Sequence, residues 1–147
     1  MQYTLKRIVD IHPEWLNELR QKCFAVNGCC VAVHKELGPF LNEYMYQEAL
    51  KILFDEYHVP YQKEYYFNIV FHGHRIEHKH YVDFLVNNEL IVECKAAEKL
   101  CQEHRQQLWN YMRLTGIQLG ILYNFGPIKD QSEHYYLDTN DGTMYMF

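Results

Sequence analysis

Tyr81-Val82-Asp83-Phe84-Leu85-Val86-Asn87-Asn88-Glu89-Leu90-Ile91-Val92-Glu93-Cys94-Lys95 reads as two apolar strands around a turn, with charge set into both. Phe84-Leu85-Val86 and Leu90-Ile91-Val92 are the short β-favouring runs that fill the interior of a sheet. Asp83, Glu93 and Lys95 sit at the ends of these runs. A charge in such a place costs several kcal/mol unless it is paired or binds a metal. Two acids and a lysine so placed suggest a site that holds a divalent cation and attacks a phosphodiester.

Loop length determines whether the two acids meet. A two-residue Asn87-Asn88 loop would pair Val86 with Glu89 and send Asp83 and Glu93 to opposite faces. A three-residue loop, Asn87-Asn88-Glu89, pairs Val86 with Leu90 and sets Asp83 directly across from Glu93. Asparagine tolerates the left-handed backbone that such loops need. The two Cα atoms would then lie ~4.5–5.5 Å apart. Lys95, two residues after Glu93, shares its face, whereas the Cys94 side chain points the other way and its carbonyl lies beside the acids. Both carboxylates would ligate one hard cation through oxygen. Lys95 would hold the attacking water or stabilise the developing oxyanion. The same residues would also serve as a cross-strand ion pair on a solvated face. The apolar flanks favour the buried site.

Around this hairpin the chain alternates helical and strand patterns. Pro13 suits a first helical turn, and Trp15, Leu19, Cys23, Val26, Cys30, Val33 and Leu37 recur at helical spacing up to Gly38-Pro39. A second helix is expected from Leu41 to Tyr57, with Leu41, Met45, Ala49, Ile52 and Leu53 on its apolar face. A strand is expected from Tyr65 to Phe71, a turn at His72-Gly73-His74, and strands over Ile76 to Val86 and Leu90 to Lys95. Leu100 to Thr115 reads as a helix stopped by Gly116, and Gln118 to Asn124 as a short apolar strand. Tyr135-Tyr136-Leu137 and Met144 to Phe147 would form a small C-terminal hairpin across Asn140-Asp141-Gly142. The order implies an α/β or mixed α+β fold, a mixed sheet covered by helices, in one domain over residues 1–147.

Composition narrows the function. The chain has 147 residues, 48% of them hydrophobic, enough for a sizeable core. No apolar run approaches the ~20 residues needed to span a bilayer, and the N-terminus lacks the pattern of a signal peptide. These features point to a cytoplasmic protein without a membrane partner. Five cysteines, none in Cys-x-x-Cys spacing, suit free thiols in a reducing compartment. A net charge of −5 argues against a constitutive, tight nucleic-acid binder. It leaves room for a nuclease, whose acidic site gains positive charge when metal enters.

The Asp83, Glu93-Cys94-Lys95 arrangement resembles the PD-(D/E)XK nuclease superfamily. More narrowly, the chain is similar to the small bacterial GxxExxY proteins assigned to it. The matching segments are Val33 to Pro39, Asn42 to Leu50, Val82 to Val86, Ile91 to Ala96, Gln107 to Tyr111 and Gly120 to Gly126, in that order. Two positions depart from the pattern. Phe40 replaces the glycine that opens the GxxExxY motif, although Glu43 and Tyr46 keep its spacing, and Val82 replaces the proline before Asp83. Phe40 bears only on the turn before the second helix.

The resemblance implies a restriction-endonuclease-like core and a metal-dependent nuclease, with DNA as substrate and Mg²⁺ or Mn²⁺ as cofactor. It implies Asp83 and Glu93 as metal ligands, assisted by the Cys94 carbonyl and by Glu43, and Lys95 as the catalytic lysine. Gln107 and Tyr111, one helical turn apart, match a Gln-x-x-x-Tyr signature near the site. The alternative is a non-catalytic nucleic-acid- or protein-binding module on the same fold.

Other constellations carry less. His72, His74, His78 and His80 form same-face pairs on strands, but no cysteine or aspartate lies at ligand spacing for zinc, and exposed hairpin histidines fit better. His80, three residues before Asp83, would border the cleft. His34 reads as a helix-face histidine or a general base. Trp109 and the 13 tyrosines offer stacking surfaces for bases, and an exposed share of the aromatics would suit a homodimer face.

Overall fold

Helix boundaries follow local chemistry. The computed structural model describes residues 5–147. A short strand β1 (Leu5–Arg7) and one helical turn α1 (Ile8–Ile11) lead to a 3-10 turn, Pro13–Trp15, with the proline in its first turn. The long helix α2 (Leu16–Leu37) buries Leu19, Cys23, Val26, Cys30 and Val33, the stripe read from the sequence. It ends at Gly38, whose φ of 76° suits a residue without a side chain. The next helix, α3 (Glu43–Glu56), starts two residues later than expected because Asn42 caps it, its side chain accepting from the Met45 N–H at 3.0 Å.

The buried face of α3 differs from the sequence reading. Tyr46, Leu50 and Phe54 are fully buried, whereas Met45 and Ile52 are 45% and 56% exposed. Tyr46 turns the helix. Its hydroxyl donates to the Gly38 carbonyl at 2.6 Å and accepts from the Leu41 N–H at 3.1 Å, so the ring enters the core with its polar tip satisfied.

The expected continuous strands between Tyr65 and Val86 are broken in two places. β2 (Tyr61–Tyr66) belongs to the main sheet, and the chain then leaves it. β3 (Ile69–Phe71) and β4 (His74–Ile76) form a separate two-stranded ribbon around His72 and Gly73, with φ of 50° and 76°, before β5 (Tyr81–Val86) returns. His78 holds the point of departure: it stacks on Tyr66 with centroids 4.6 Å apart, and its Nε2 lies 2.8 Å from the Phe67 carbonyl. Then come β6 (Leu90–Lys95), α4 (Gln102–Thr115), β7 (Leu119–Asn124), β8 (Gln131–Leu137) and β9 (Met144–Met146). The last two are the anticipated C-terminal hairpin.

Seven strands form one mixed sheet in the order β1-β9-β8-β7-β6-β5-β2. β1 with β9 and β6 with β7 are parallel, and the other pairs are antiparallel. The parallel pair β6–β7 is bridged by α4, the crossover that parallel neighbours need. One core cluster joins α1, α2 and α3 to Phe84, Val86, Leu90, Val92 and Cys94. The other joins α4 to Val82, Leu85, Ile91 and Leu122. The sheet is therefore covered on both faces, and β6 alternates between them, which aims Glu93 and Lys95 at α4. Among the described residues no helix is long and apolar enough to cross a membrane.

Close backbone packing fixes the ends of the central strands. A side chain at Gly126 would put its Cβ 2.4 Å from the Ala97 carbonyl oxygen and 2.8 Å from the Ala97 nitrogen, so the loops after β7 and β6 touch only because residue 126 is glycine. Gly28, inside α2, has open space where its Cβ would be. Gly126→Ala is expected to cost about 1–3 kcal/mol through forced backbone movement. Gly28→Ala should instead stabilise by roughly 0.5–1 kcal/mol, the helix-propensity difference. Thermal melting of the two variants checks both signs.

Candidate active site

The turn between β5 and β6 sets the site. Asn87 and Asn88 both adopt left-handed backbone, φ 52° and 55°, and the Glu89 N–H returns to the Val86 carbonyl at 3.0 Å. The loop has three residues, and Val86 pairs with Leu90, Leu85 with Ile91 and Phe84 with Val92. One step further the register sets Asp83 opposite Glu93, as the three-residue loop requires. There the side chains take over the ladder. The Asp83 N–H donates to Glu93 Oε1 at 3.0 Å, and the Cys94 N–H donates to Asp83 Oδ2 at 2.8 Å.

Asp83 also stands at a break on its other side. Glu64 lies across from it on β2 and has a φ of 55°, rare for a residue with a side chain in a strand. Before this point β2 faces α2 and α3, through Tyr61 and through Lys63, which donates to Glu48 at 2.8 Å. After it Tyr65 packs on the α4 side. β5 switches at the same place: Phe84 belongs to the first cluster and Val82 to the second. The swap leaves the Asp83 carboxyl directed along the sheet towards β6.

The acids are buried in a net negative setting. Burial is the main cause that pushes Asp83 up to about 6, and Glu43 adds to it. The Cys94 N–H, Lys95 and a hydrogen bond with Glu93 pull in the other direction. Glu93, 2% exposed, is raised well above the ordinary glutamate range by burial first and then by Asp83. None of the ion pairs among the described residues involves Asp83, Glu93 or Lys95. Lys95 Nζ instead donates to Gln107 Oε1 at 2.9 Å, and Gln107 Nε2 donates to the Tyr111 hydroxyl at 3.1 Å. Burial, then Glu93, raises Tyr111. The Tyr111 ring is held edge-on by Phe67, with centroids 5.3 Å apart.

Glu43, the first residue of α3, enters through a latch. Phe40 takes a φ of 70°, its N–H donates to the Gly126 carbonyl at 3.0 Å, and Tyr46 closes the loop onto Gly38. Gln47, 9% exposed, donates to Glu43 Oε1 at 3.2 Å. Glu43 stands close enough to raise Asp83 and Glu93 electrostatically. The Cys94 thiol is fully buried beside Cys30 and pushed far up by burial. In an extended strand N–H and C=O of one residue leave by the same edge. The Cys94 N–H reaches Asp83, so its carbonyl is on the same side as the acids.

Asp83 with Glu93, and Lys95 with Gln107 and Tyr111, thus form two hydrogen-bonded sets within electrostatic reach of each other, with Glu43 as a neighbouring charge. Gln47 was missed from the sequence. It is one helical turn from Glu43, which was the available signal. His104 caps α4, its Nδ1 accepting from the Cys101 N–H at 3.2 Å. His80 lines a groove of about 370 Å³ with Phe67, Gln107 and Tyr111. His34 is a tether, its Nε2 2.9 Å from the Pro127 carbonyl. Among the described residues no group of three or more His, Cys, Asp or Glu side chains is gathered to hold a metal, the His72–His80 series included.

The raised carboxyls have a linked effect on stability. A folded-state acid above its unfolded value stabilises below the unfolded pKa, and that contribution is lost as pH rises through the folded pKa. For Asp83 the window runs from its ordinary value of 3.8 to about 6. Asp83→Asn should therefore raise the metal-free melting temperature at pH 8 and change it little at pH 4. Melting curves of variant and wild type across this window give the difference.

A model of the PD-(D/E)XK nuclease superfamily matches residues 20–135, well over half of the chain. The matched span runs from α2 to β8 and contains the whole group of site residues. Neither the curated proteins nor the solved structures hold a significant match. The helix-flanked mixed sheet is consistent with a restriction-endonuclease-like fold, and nucleases of this superfamily generally use divalent metal ions on nucleic acid. The chain belongs to the PD-(D/E)XK nuclease superfamily.

Proposed function

We propose that the protein is a metal-dependent nuclease that hydrolyses phosphodiester bonds of DNA, with Mg²⁺ or Mn²⁺ held by Asp83 and Glu93. The observation that carries this reading is the buried carboxyl pair with Lys95 on the same strand, its ammonium held by a neutral amide. The donors are all oxygen, and their charge lacks a direct ion-pair partner, which suits a hard divalent cation. Glu43 adds negative charge, and the Cys94 carbonyl supplies a further oxygen at the same edge.

When bound, such an ion polarises the phosphate and favours deprotonation of water. The chain's own residues do the rest. Lys95 donates to the attacking water or to a phosphate oxygen as negative charge builds there. Gln107 fixes the lysine through its carbonyl oxygen, and Tyr111 fixes the amide orientation of Gln107. The GxxExxY likeness supports this role for Glu43: the glycine-type φ persists at Phe40, and Tyr46 latches the turn that presents Glu43.

Cleavage of plasmid, oligodeoxynucleotide and RNA substrates with Mg²⁺ or Mn²⁺ tests the proposal. Lys95→Ala should lower the rate by roughly 100-fold or more, as loss of one charge-stabilising donor does. Equal, background-level cutting by wild type and variant would sink the nuclease reading. The net charge of −5 favours a second reading, a non-catalytic nucleic-acid- or protein-binding module. Calorimetric titration separates the two: the module predicts binding of nucleic acid or protein with no heat from either ion.

A further inference from the structure

Two large apolar side chains stand outside the core on the banks of one groove. Phe40 and Ile128 are each 77% exposed, and between them lies a cavity of about 540 Å³ walled by Leu41, Ala96, Ala97 and Pro127. The groove neighbours the site just described along the chain, although the site's own side chains do not line it. Ala96 follows Lys95 directly, and Leu41 is two residues from Glu43. Both banks are fixed: the Phe40 N–H is tied to the Gly126 carbonyl at 3.0 Å, and the Pro127 carbonyl is tied to His34 at 2.9 Å.

Phe40 is the informative residue. Its φ of 70° is a conformation that glycine adopts freely and an aromatic residue does not. Packing does not account for the choice, because the ring is in solvent. A bulky residue kept in a strained position beside a reaction centre is a sign of function. The available surface is flat, aromatic and apolar, with Lys129 and Glu98 on the rim. That suits the face of a planar base, with the following phosphate on the Lys129 side.

We propose that this groove is a subsite for an unpaired nucleobase next to the scissile phosphate, stacked on Phe40. The substrate class is then single-stranded nucleic acid or a single-stranded flank, because both faces of a base inside a duplex are already stacked. The inference rests on the nuclease reading above.

The test uses full-length Lys95→Ala protein, which holds substrate without cutting it, with and without Phe40→Gly. Anisotropy with a labelled single-stranded oligonucleotide and with its blunt duplex, both in Mg²⁺, reads the affinities. Phe40→Gly should weaken single-strand binding by ~10-fold, the effect of losing one stacked base. It should change duplex binding by less than about twofold and leave the melting temperature equal or higher. Phe40→Trp should restore single-strand binding and show quenching of the new indole when the strand is added. Unchanged single-strand affinity in Phe40→Gly, or an equal loss for both substrates, overturns the subsite and leaves the nuclease reading standing. If wild type neither binds nor cuts any nucleic acid, both fall.

Discussion

Two hydrogen bonds at the Asp83–Glu93 step organise this protein. From Phe84–Val92 to the turn, β5 and β6 pair main chain to main chain. At this step the Asp83 N–H is taken by the Glu93 carboxyl and the Cys94 N–H by the Asp83 carboxyl. Each acid thus satisfies a main-chain donor that the widened ladder would otherwise strand, and each donor helps offset the cost of burying a carboxyl. The arrangement requires the three-residue turn, because a shift of one residue would place the acids on opposite faces. The Asn87-Asn88 backbone therefore controls the charge distribution of the molecule's centre.

The two helical layers reach this centre by different means. α4 bridges β6 and β7 and brings Gln107 and Tyr111 against Lys95 in a line of neutral dipoles. On the opposite layer, α3 reaches the site through its first turn, Glu43 with Gln47 donating to it, because the Tyr46 hydroxyl pins the preceding loop to Gly38 and Leu41. A tyrosine deep in one core thereby positions a glutamate at its margin. Gly126 completes the arrangement, since the loops after β6 and β7 can touch only without a side chain there.

Much of this was legible in the residues, for identifiable reasons. Short continuous apolar runs on either side of Asn87-Asn88-Glu89 mark the β5–β6 hairpin and its turn. Gln107 and Tyr111 come from the family resemblance, through its Gln-x-x-x-Tyr signature, and their one-turn spacing puts them on one face of α4. The apolar face of α3 was misread because Tyr46 is buried by virtue of hydrogen bonds to a loop eight residues back, which periodicity does not register. The ribbon β3–β4 was read as part of longer strands because its separation depends on His78 packing over Tyr66 and Phe67, a contact made across the chain. The left-handed Glu64 had no marker, since an ordinary glutamate occupies the position. β1 rests on a parallel pairing with the far end of the chain, beyond any local signal.

The backbone inversion at Glu64 has a consequence for solubility. β2 is an outermost strand of the sheet, and an outermost strand offers unpaired main-chain groups to any other extended segment it meets. A regular strand of that length with tyrosines at both ends would be a template for end-on growth of the sheet. Reversal of its faces halfway along interrupts that template, because no partner strand can follow both halves in one register. The same irregularity that frees the Asp83 carboxyl thus protects the exposed border of the molecule from self-association.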